Sequence, residues 1–182
     1  MSTPGHIAPA SADDLAAVEA QLGRPTRGVL AVAHRCHCGL PDVVLTSPRL
    51  PDGTPFPTLC YLTCPRLIAA TSTLEAEGTM RAMEERLRTE PVLADAYRAA
   101  HEQYLARRAE LGDVAEIDGI SAGGMPDRVK CLHVLVAHAL ASGAGVNPLG
   151  DEALALLAER GAYPPAAGCV DLAALGDTGA NA

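Results

Sequence analysis

Cysteine and histidine, the residue types best suited to nucleophilic or metal chemistry, gather in three separated stretches of this chain. They are Arg35-Cys-His-Cys-Gly39, Thr58-Leu-Cys-Tyr-Leu-Thr-Cys-Pro65 and Ala122-Gly-Gly-Met-Pro-Asp-Arg-Val-Lys-Cys-Leu-His-Val-Leu-Val-Ala-His138. A thiolate is both a nucleophile and a soft metal ligand, and a neutral imidazole is a base and a ligand. The pattern places Cys36 on a turn after a strand, Cys64 just before Pro65 at a helix start, and Cys131 in the first turn of another helix. Free backbone N–H groups and helix dipoles favour a thiolate at such positions. Converging, Cys36, Cys64 and Cys131 could hold a zinc with one histidine completing the tetrahedron, or an iron–sulfur cluster with one iron open to a substrate. No Cys-x-x-Cys pair specifies either, so the competing reading is three small buried apolar residues in a reduced protein.

Helix geometry sorts the histidines. With Asp127 as cap, His133 falls about 200° around the axis from Cys131, and His138 falls on the same stripe about 10 Å farther on. The expected fourth ligand is therefore His34, His37 or Cys38, and His138 is either a general acid or base or a core histidine. A metal-free cysteine hydrolase built on Cys131 and a histidine is weaker, because no orienting acid can be placed. Arg128 and Lys130 follow Gly123-Gly124 at the same helix start, where backbone N–H groups and two cations could cradle a phosphate or carboxylate. The alternative is a glycine hinge with solvated cations. No Walker motif or dinucleotide fingerprint is present.

The elements that must position these residues follow from composition and periodicity. A chain of 182 residues, 48% hydrophobic, suits one domain, expected over residues 11–160 with disordered segments at 1–10 and 161–182. Aromatic residues make up 3% and Trp is absent, so the core is one of Leu, Val and Ala. The net charge of −8 argues against broad nucleic-acid or anionic-membrane binding. No apolar run reaches the roughly 18 residues of a membrane span, and the start lacks a secretory signal pattern. The expected compartment is the cytoplasm, where thiols stay reduced.

Ser11 caps a helix carrying Leu15, Val18 and Leu22, which Gly23 stops. Val29–Ala33 and Asp42–Thr46 read as strands of a hairpin, and Thr58–Thr63 as a third strand. The four prolines of residues 47–57 exclude helix and predict an ordered surface loop packed near the site. Cys64-Pro65 opens a helix that ends at Gly78; two more follow, broken at Pro91, with their charges solvated. The last helices are expected at Arg128–Ser142 and Asp151–Arg160, and Cys169 lies in the tail. The fold class is α+β, mainly helical, with a small antiparallel sheet near the N-terminus.

Gly28-Val29, Arg35-Cys36, Gly39, Pro41, Asp52-Gly-Thr-Pro-Phe-Pro-Thr58, Leu62-Thr-Cys-Pro65, Leu74-Glu75, Gly78, Arg128-Val-Lys-Cys-Leu-His133, Ala137-His138 and Asn147-Pro148 together resemble the DUF501 family, across most of residues 20–157. That family is common in actinobacteria and supplies no mechanism. The resemblance implies that Cys36, Cys64 and Cys131 occupy its characteristic cysteine positions, with His replacing Cys64 in some relatives, while Cys38, Cys60 and Cys169 match no motif. The expected function is a metal- or thiol-dependent protein centred on Cys36, Cys64 and Cys131, with Arg128, Lys130 and His138 contacting an anionic small-molecule ligand. The alternative is a non-catalytic adaptor whose cysteines are structural and whose charged helices at residues 79–111 bind a protein partner.

Overall fold

Ser11 opens the first helix with a reciprocal pair of bonds: its hydroxyl accepts from the Asp14 N–H, and the Asp14 carboxylate accepts from the Ser11 N–H, each at 3.1 Å. Two otherwise orphaned donors are thereby satisfied. In the computed structural model, which describes residues 9–165 and 168–170, this helix is α1 (Ala12–Leu22), and Gly23 ends it at φ 66°. Three antiparallel strands follow in the order β1 (Val29–Arg35), β2 (Pro41–Thr46) and β3 (Cys60–Leu62). Ala10 extends the edge by donating its N–H to Leu30. Residues 1–8, on which most of the expected N-terminal disorder falls, lie outside the described set.

β2 is buried along its whole length because both faces of the sheet are covered, which is why Val43-Val-Leu45 reads as a continuous apolar run. Cross-strand pairs Val43–Leu62 and Leu45–Cys60 face the main core with Ala31. The alternate pair, Val44 and Tyr61, lines a pocket of ≈ 180 Å³ with Leu22, Leu50 and Phe56. Leu50 and Phe56 come from the proline-rich loop, which is ordered as expected by bonds from Leu50 to Thr54 and from Phe56 to Pro48. It sits at the Gly28–Ser47 end of the hairpin, the end away from Cys36, so the expectation that it packs beside the site is corrected.

The helices are α2 (Pro65–Ala76), α3 (Thr79–Thr89), α4 (Pro91–Ala109), α5 (Leu132–Ser142) and α6 (Pro148–Glu159), with a short 3-10 turn at Ala115–Ile117. Pro65 and Pro91 sit in first turns, where the missing N–H costs nothing. α5 is the hub: it lies across the sheet and packs against α2 and α6, with Leu132, Leu135, Val136, Ala137 and His138 fully buried. α6 starts at Pro148 rather than Asp151 because the Asn147 side chain accepts from the Gly150 N–H at 2.9 Å.

α5 starts four residues later than its apolar pattern suggests. Gly123 and Gly124, at φ 73° and 95°, turn the chain back so that Lys130 donates to Gly123 and Arg128 to Gly124 at 2.8 and 2.9 Å. Those bonds hold residues 128–131 out of the helix. The N-cap is Cys131, with extended backbone, and Asp127 is exposed instead of capping.

Arg108, only 6% exposed, has carbonyls rather than an acid as its partners. Its guanidinium donates to Pro57, Ile117 and Ile120, tying the end of the proline-rich loop to the 3-10 segment. It is an exception to the solvated charges expected on α3 and α4, as is Glu84, which accepts the Val129 N–H.

Two outcomes test this packing. A Cβ on Gly150 would lie 2.2 Å from the Leu135 carbonyl oxygen and 2.8 Å from Ala139 Cβ, so Gly150→Ala should cost at least about 1–3 kcal/mol as overpacking. Calorimetry should show a thermal midpoint several degrees lower; an unchanged midpoint would mean that α5 and α6 do not meet there. The second concerns Arg35, which donates two bonds to Asp14 at 2.7 and 3.0 Å and is the main cause holding that carboxyl down at about 2, from 3.8. A depressed acid contributes stability above its unfolded value that disappears as pH falls through the folded one. Arg35→Met should therefore melt below wild type at neutral pH, and the gap should close between pH 3.8 and about 2.

Candidate functional site

The late start of α5 changes what its first turn presents. Because Cys131 is an extended N-cap residue rather than a helical one, the rotation of 100° per residue does not apply between it and His133. The Cys131 Sγ lies 3.8 Å from His133 Nδ1, which corrects the expectation that the helix axis separates them. Glu75, near the C-terminal end of α2, places Oε1 3.1 Å from the same Nδ1. One donor atom from each of the three residues lies within 4.8 Å of the others, so Glu75, Cys131 and His133 form a group that could hold a metal ion.

Each member has a reason to be there. Glu75 Oε1 accepts the Leu132 N–H at 2.6 Å, so the carboxylate satisfies one of the first N–H groups of α5. His133 Nε2 lies 3.2 Å from both the Ile68 carbonyl and Ser72 Oγ. With the Nε2 proton donated to Ile68, the Nδ1 lone pair points at the sulfur and the carboxylate. That is the arrangement of a metal-ligating imidazole held by an outer hydrogen bond. Without an ion the same surroundings favour a proton: the bond with Cys131, against the penalty of burial and helped by the Glu75 charge, raises His133 to about 9. Cys131 and His133 border a pocket of ≈ 230 Å³ whose other walls are mainly Cys60, Tyr61, Leu62, Ile68 and Val134.

Cys36 and Cys64 are elsewhere. Cys64 caps α2 at its start and Glu75 stands eleven residues on, about 16 Å along the axis at 1.5 Å per residue. One ion cannot bridge that span, so the three thiols expected at one centre divide into Cys131 at one end of α2 and Cys36 with Cys64 at the other. Burial raises both of these thiols, and the charge of Cys36 bears on Cys64. Cys38, named as an alternative ligand, lies 3.7 Å sulfur to sulfur from Cys169. Cys169 is thus packed on the domain, whereas the sequence reading left it in a disordered tail; residues 166–167 and 171–182 of that tail lie outside the described set. His34 pairs with the buried Asp42 at 2.7 Å, His37 is exposed, and Cys60 is a core thiol that burial drives up to about 12.

His138 has no exposed surface. Its Nε2 lies 2.7 Å from Gln103 Oε1 and its Nδ1 3.1 Å from Asn147 Nδ2, so Nε2 donates and Nδ1 accepts. Tyr104 meets the ring edge-on at 5.0 Å. Burial lowers its proton affinity to about 4. Both nitrogens are committed inside the core, which is the core-histidine alternative of the two readings and leaves no nitrogen for the acid–base role. Arg128 and Lys130 are exposed and precede the helix instead of opening it. The N–H groups near them already have anionic partners, Val129 with Glu84 at 3.1 Å and Leu132 with Glu75, and Arg128 approaches Glu84 at 3.8 Å.

Sequence reasoning passed over Glu75 and His133 as ligands. Both stood inside the resemblance, in Leu74-Glu75 and in the stretch ending at His133, and a shared acid, thiol and imidazole there was the available signal. No helix is long and apolar enough to cross a membrane among the described residues.

Residues 32–155 match the family described as "Protein of unknown function (DUF501)". Comparison with curated proteins and with solved structures finds no match. The matched region contains Cys36, Cys64, Glu75, Cys131 and His133 and ends before Cys169. The chain belongs to the DUF501 family.

Proposed function

We propose that this protein binds a divalent metal ion, zinc by preference, through Glu75, Cys131 and His133, with one coordination position open to the adjoining pocket. The observation that carries the reading is the convergence of three different donors on one point, with the imidazole held from behind by Ile68. A sulfur, a nitrogen and a carboxylate oxygen make a mixed set that suits borderline-soft zinc, and three protein ligands with a free fourth position are the pattern of catalytic rather than structural sites. One thiolate is too few for an iron–sulfur cluster here. When bound, such an ion supplies Lewis acidity or an activated water, and the apolar pocket wall would seat an uncharged part of a substrate.

The metal-free cysteine hydrolase gains from the structure the acid it lacked, since Glu75 now stands beside His133. The arrangement nevertheless favours a metal. A thiol–imidazole–carboxylate relay places nucleophile and acid on opposite ring nitrogens, whereas Cys131 and Glu75 both face Nδ1. The anionic ligand expected at Arg128 and Lys130, and the protein partner expected on α3 and α4, draw less support. Glu84 and Glu75 occupy the N–H groups, and Arg86 and Arg88 pair with Glu90, Glu152, Glu84 and Glu85.

Titration of the ion-free protein with zinc, followed by metal analysis, tests the reading. Wild type should retain at least one equivalent that His133→Ala loses, and zinc at a hundredfold excess over its dissociation constant should stabilise wild type through this site by about 2.7 kcal/mol. Glu75→Gln should weaken binding while keeping an acceptor for the Leu132 N–H. Equal zinc content in wild type and His133→Ala would overturn the proposal.

A further inference from the structure

We infer that Cys36, Cys38, Cys64 and Cys169 form a second metal site, a four-thiolate zinc centre that fastens the segment at residues 168–170 to the β1–β2 turn and the start of α2. It shares no ligand with the Glu75–Cys131–His133 group and does not depend on it.

The first support is the convergence itself. The four residues come from the hairpin turn, a helix N-cap and a segment 131 positions from Cys38 in sequence, yet the fold gathers them: Cys38 meets Cys169, Arg66 in the first turn after Cys64 holds Gly168, and the Thr63 N–H donates to Asp42 beside the hairpin turn. The four thiols also bear on one another electrostatically, Cys36 on Cys38 and Cys64, and Cys169 on Cys38 and Cys64; no three of the sulfurs lie within 4.8 Å of one another, so an ion would draw them inward. A tetrahedral zinc with sulfurs at about 2.3 Å sets those sulfurs about 3.8 Å apart. The Cys38–Cys169 separation of 3.7 Å has that length and is far from a disulfide bond, and all four cysteines are free.

The second support is the set of donors aimed at the sulfurs. Cys64, as the N-cap of α2, stands at the helix end whose first N–H groups lack intrahelical partners. Gln21 Nε2 adds a side-chain bond to Cys169 Sγ at 3.2 Å. Neutral thiols are weak acceptors, so donors placed at Cys169 and at the Cys64 helix start are matched to thiolates. The turn is built for this: Gly39, at φ 84°, closes it by donating to the Cys36 carbonyl at 2.8 Å, and Cys36 donates to Leu40 at 2.9 Å. Arg66 Nε fixes the incoming segment by donating to the Gly168 carbonyl at 3.0 Å.

Unmetallated, the buried members stay protonated. Cys64 is fully buried and Cys36 is 6% exposed, so charge on either is penalised unless a cation shares the site. Zinc resolves the conflict by binding four thiolates as their protons leave to solvent.

Cobalt(II) substitution of the full chain under reductant tests this, because thiolate-to-cobalt charge transfer reports sulfur ligands. The Cys131→Ser variant removes the only sulfur of the other site and leaves, besides the four cysteines, the core thiol Cys60, so absorption that a further Cys38→Ser or Cys169→Ser change removes arises from the four. Cys131→Ser should show it, and adding Cys38→Ser or Cys169→Ser should abolish it or weaken cobalt binding at least tenfold. Limited proteolysis gives a second readout: zinc should protect the chain beyond Gly161, and a chelator should expose it. Absence of charge transfer in a folded Cys131→Ser protein would overturn the inference, as would unchanged absorption after Cys169→Ser. His133→Ala should leave the signal intact, so the two proposed sites fail separately.

Discussion

A helix that begins inside a protein must find acceptors for its first N–H groups, and α5 begins there with a residue that cannot help. Cys131 makes no side-chain cap bond. The need is met from other helices: Glu75 of α2 takes the Leu132 N–H and Glu84 of α3 takes that of Val129 just before it. These bonds bring carboxylates to a buried helix start, where the positive end of the helix dipole favours them. The candidate metal group is a consequence. Once Glu75 is required at Leu132, the side chains on either side, Cys131 and His133, are brought to the same carboxylate.

The two histidines of α5 show how far position decides chemistry. His133 stands at the edge of the helix against a thiol and a carboxylate and is raised to about 9; His138, five residues on, is enclosed by Gln103, Asn147 and Tyr104 and lowered to about 4. For His138, desolvation with no compensating charge favours the neutral ring. Its neutral form matches both neighbours: one nitrogen gives to an amide oxygen and the other receives from an amide N–H. Asn147 also caps α6 through its oxygen, so a single amide fixes both the histidine's tautomer and the start of the helix packed on α5. This network belongs to the stability of the core.

Much of the fold was legible because it is written locally. The Ser11 cap, the Gly23 stop, the hairpin, the Pro65 entry to α2 and the break at Pro91 each rest on residues within a turn of one another. The start of α5 was not, because an apolar pattern and a plausible cap at Asp127 agree on a helix that Gly123 and Gly124 prevent. Their positive φ values and the backbone bonds they accept depend on the loop as a whole. That one displacement hid the proximity of Cys131 and His133. Glu75 was hidden for a different reason, since an acid on an amphipathic helix reads as solvated until the neighbouring helix that needs it is known. Cys169 was hidden by its setting in a segment of alanine, glycine and proline with no period, though Gln21 and Arg66 both reach it or its neighbour across the fold.

α2 carries a residue of each candidate centre, Cys64 at its N-cap and Glu75 near its other end. Its first turn follows directly on Cys64, and its last turns carry Glu75. Between them Leu67, Thr71 and Leu74 are buried along one face, and α2 packs directly on α5. A packed helix of this length moves as a unit rather than bending at one residue. The same buried face therefore places Cys64 by the hairpin turn and sets the angle at which Glu75 meets Leu132 and His133. α2 is thus one packed element with a candidate centre at each end, about 16 Å apart along its axis, and the two centres share no residue.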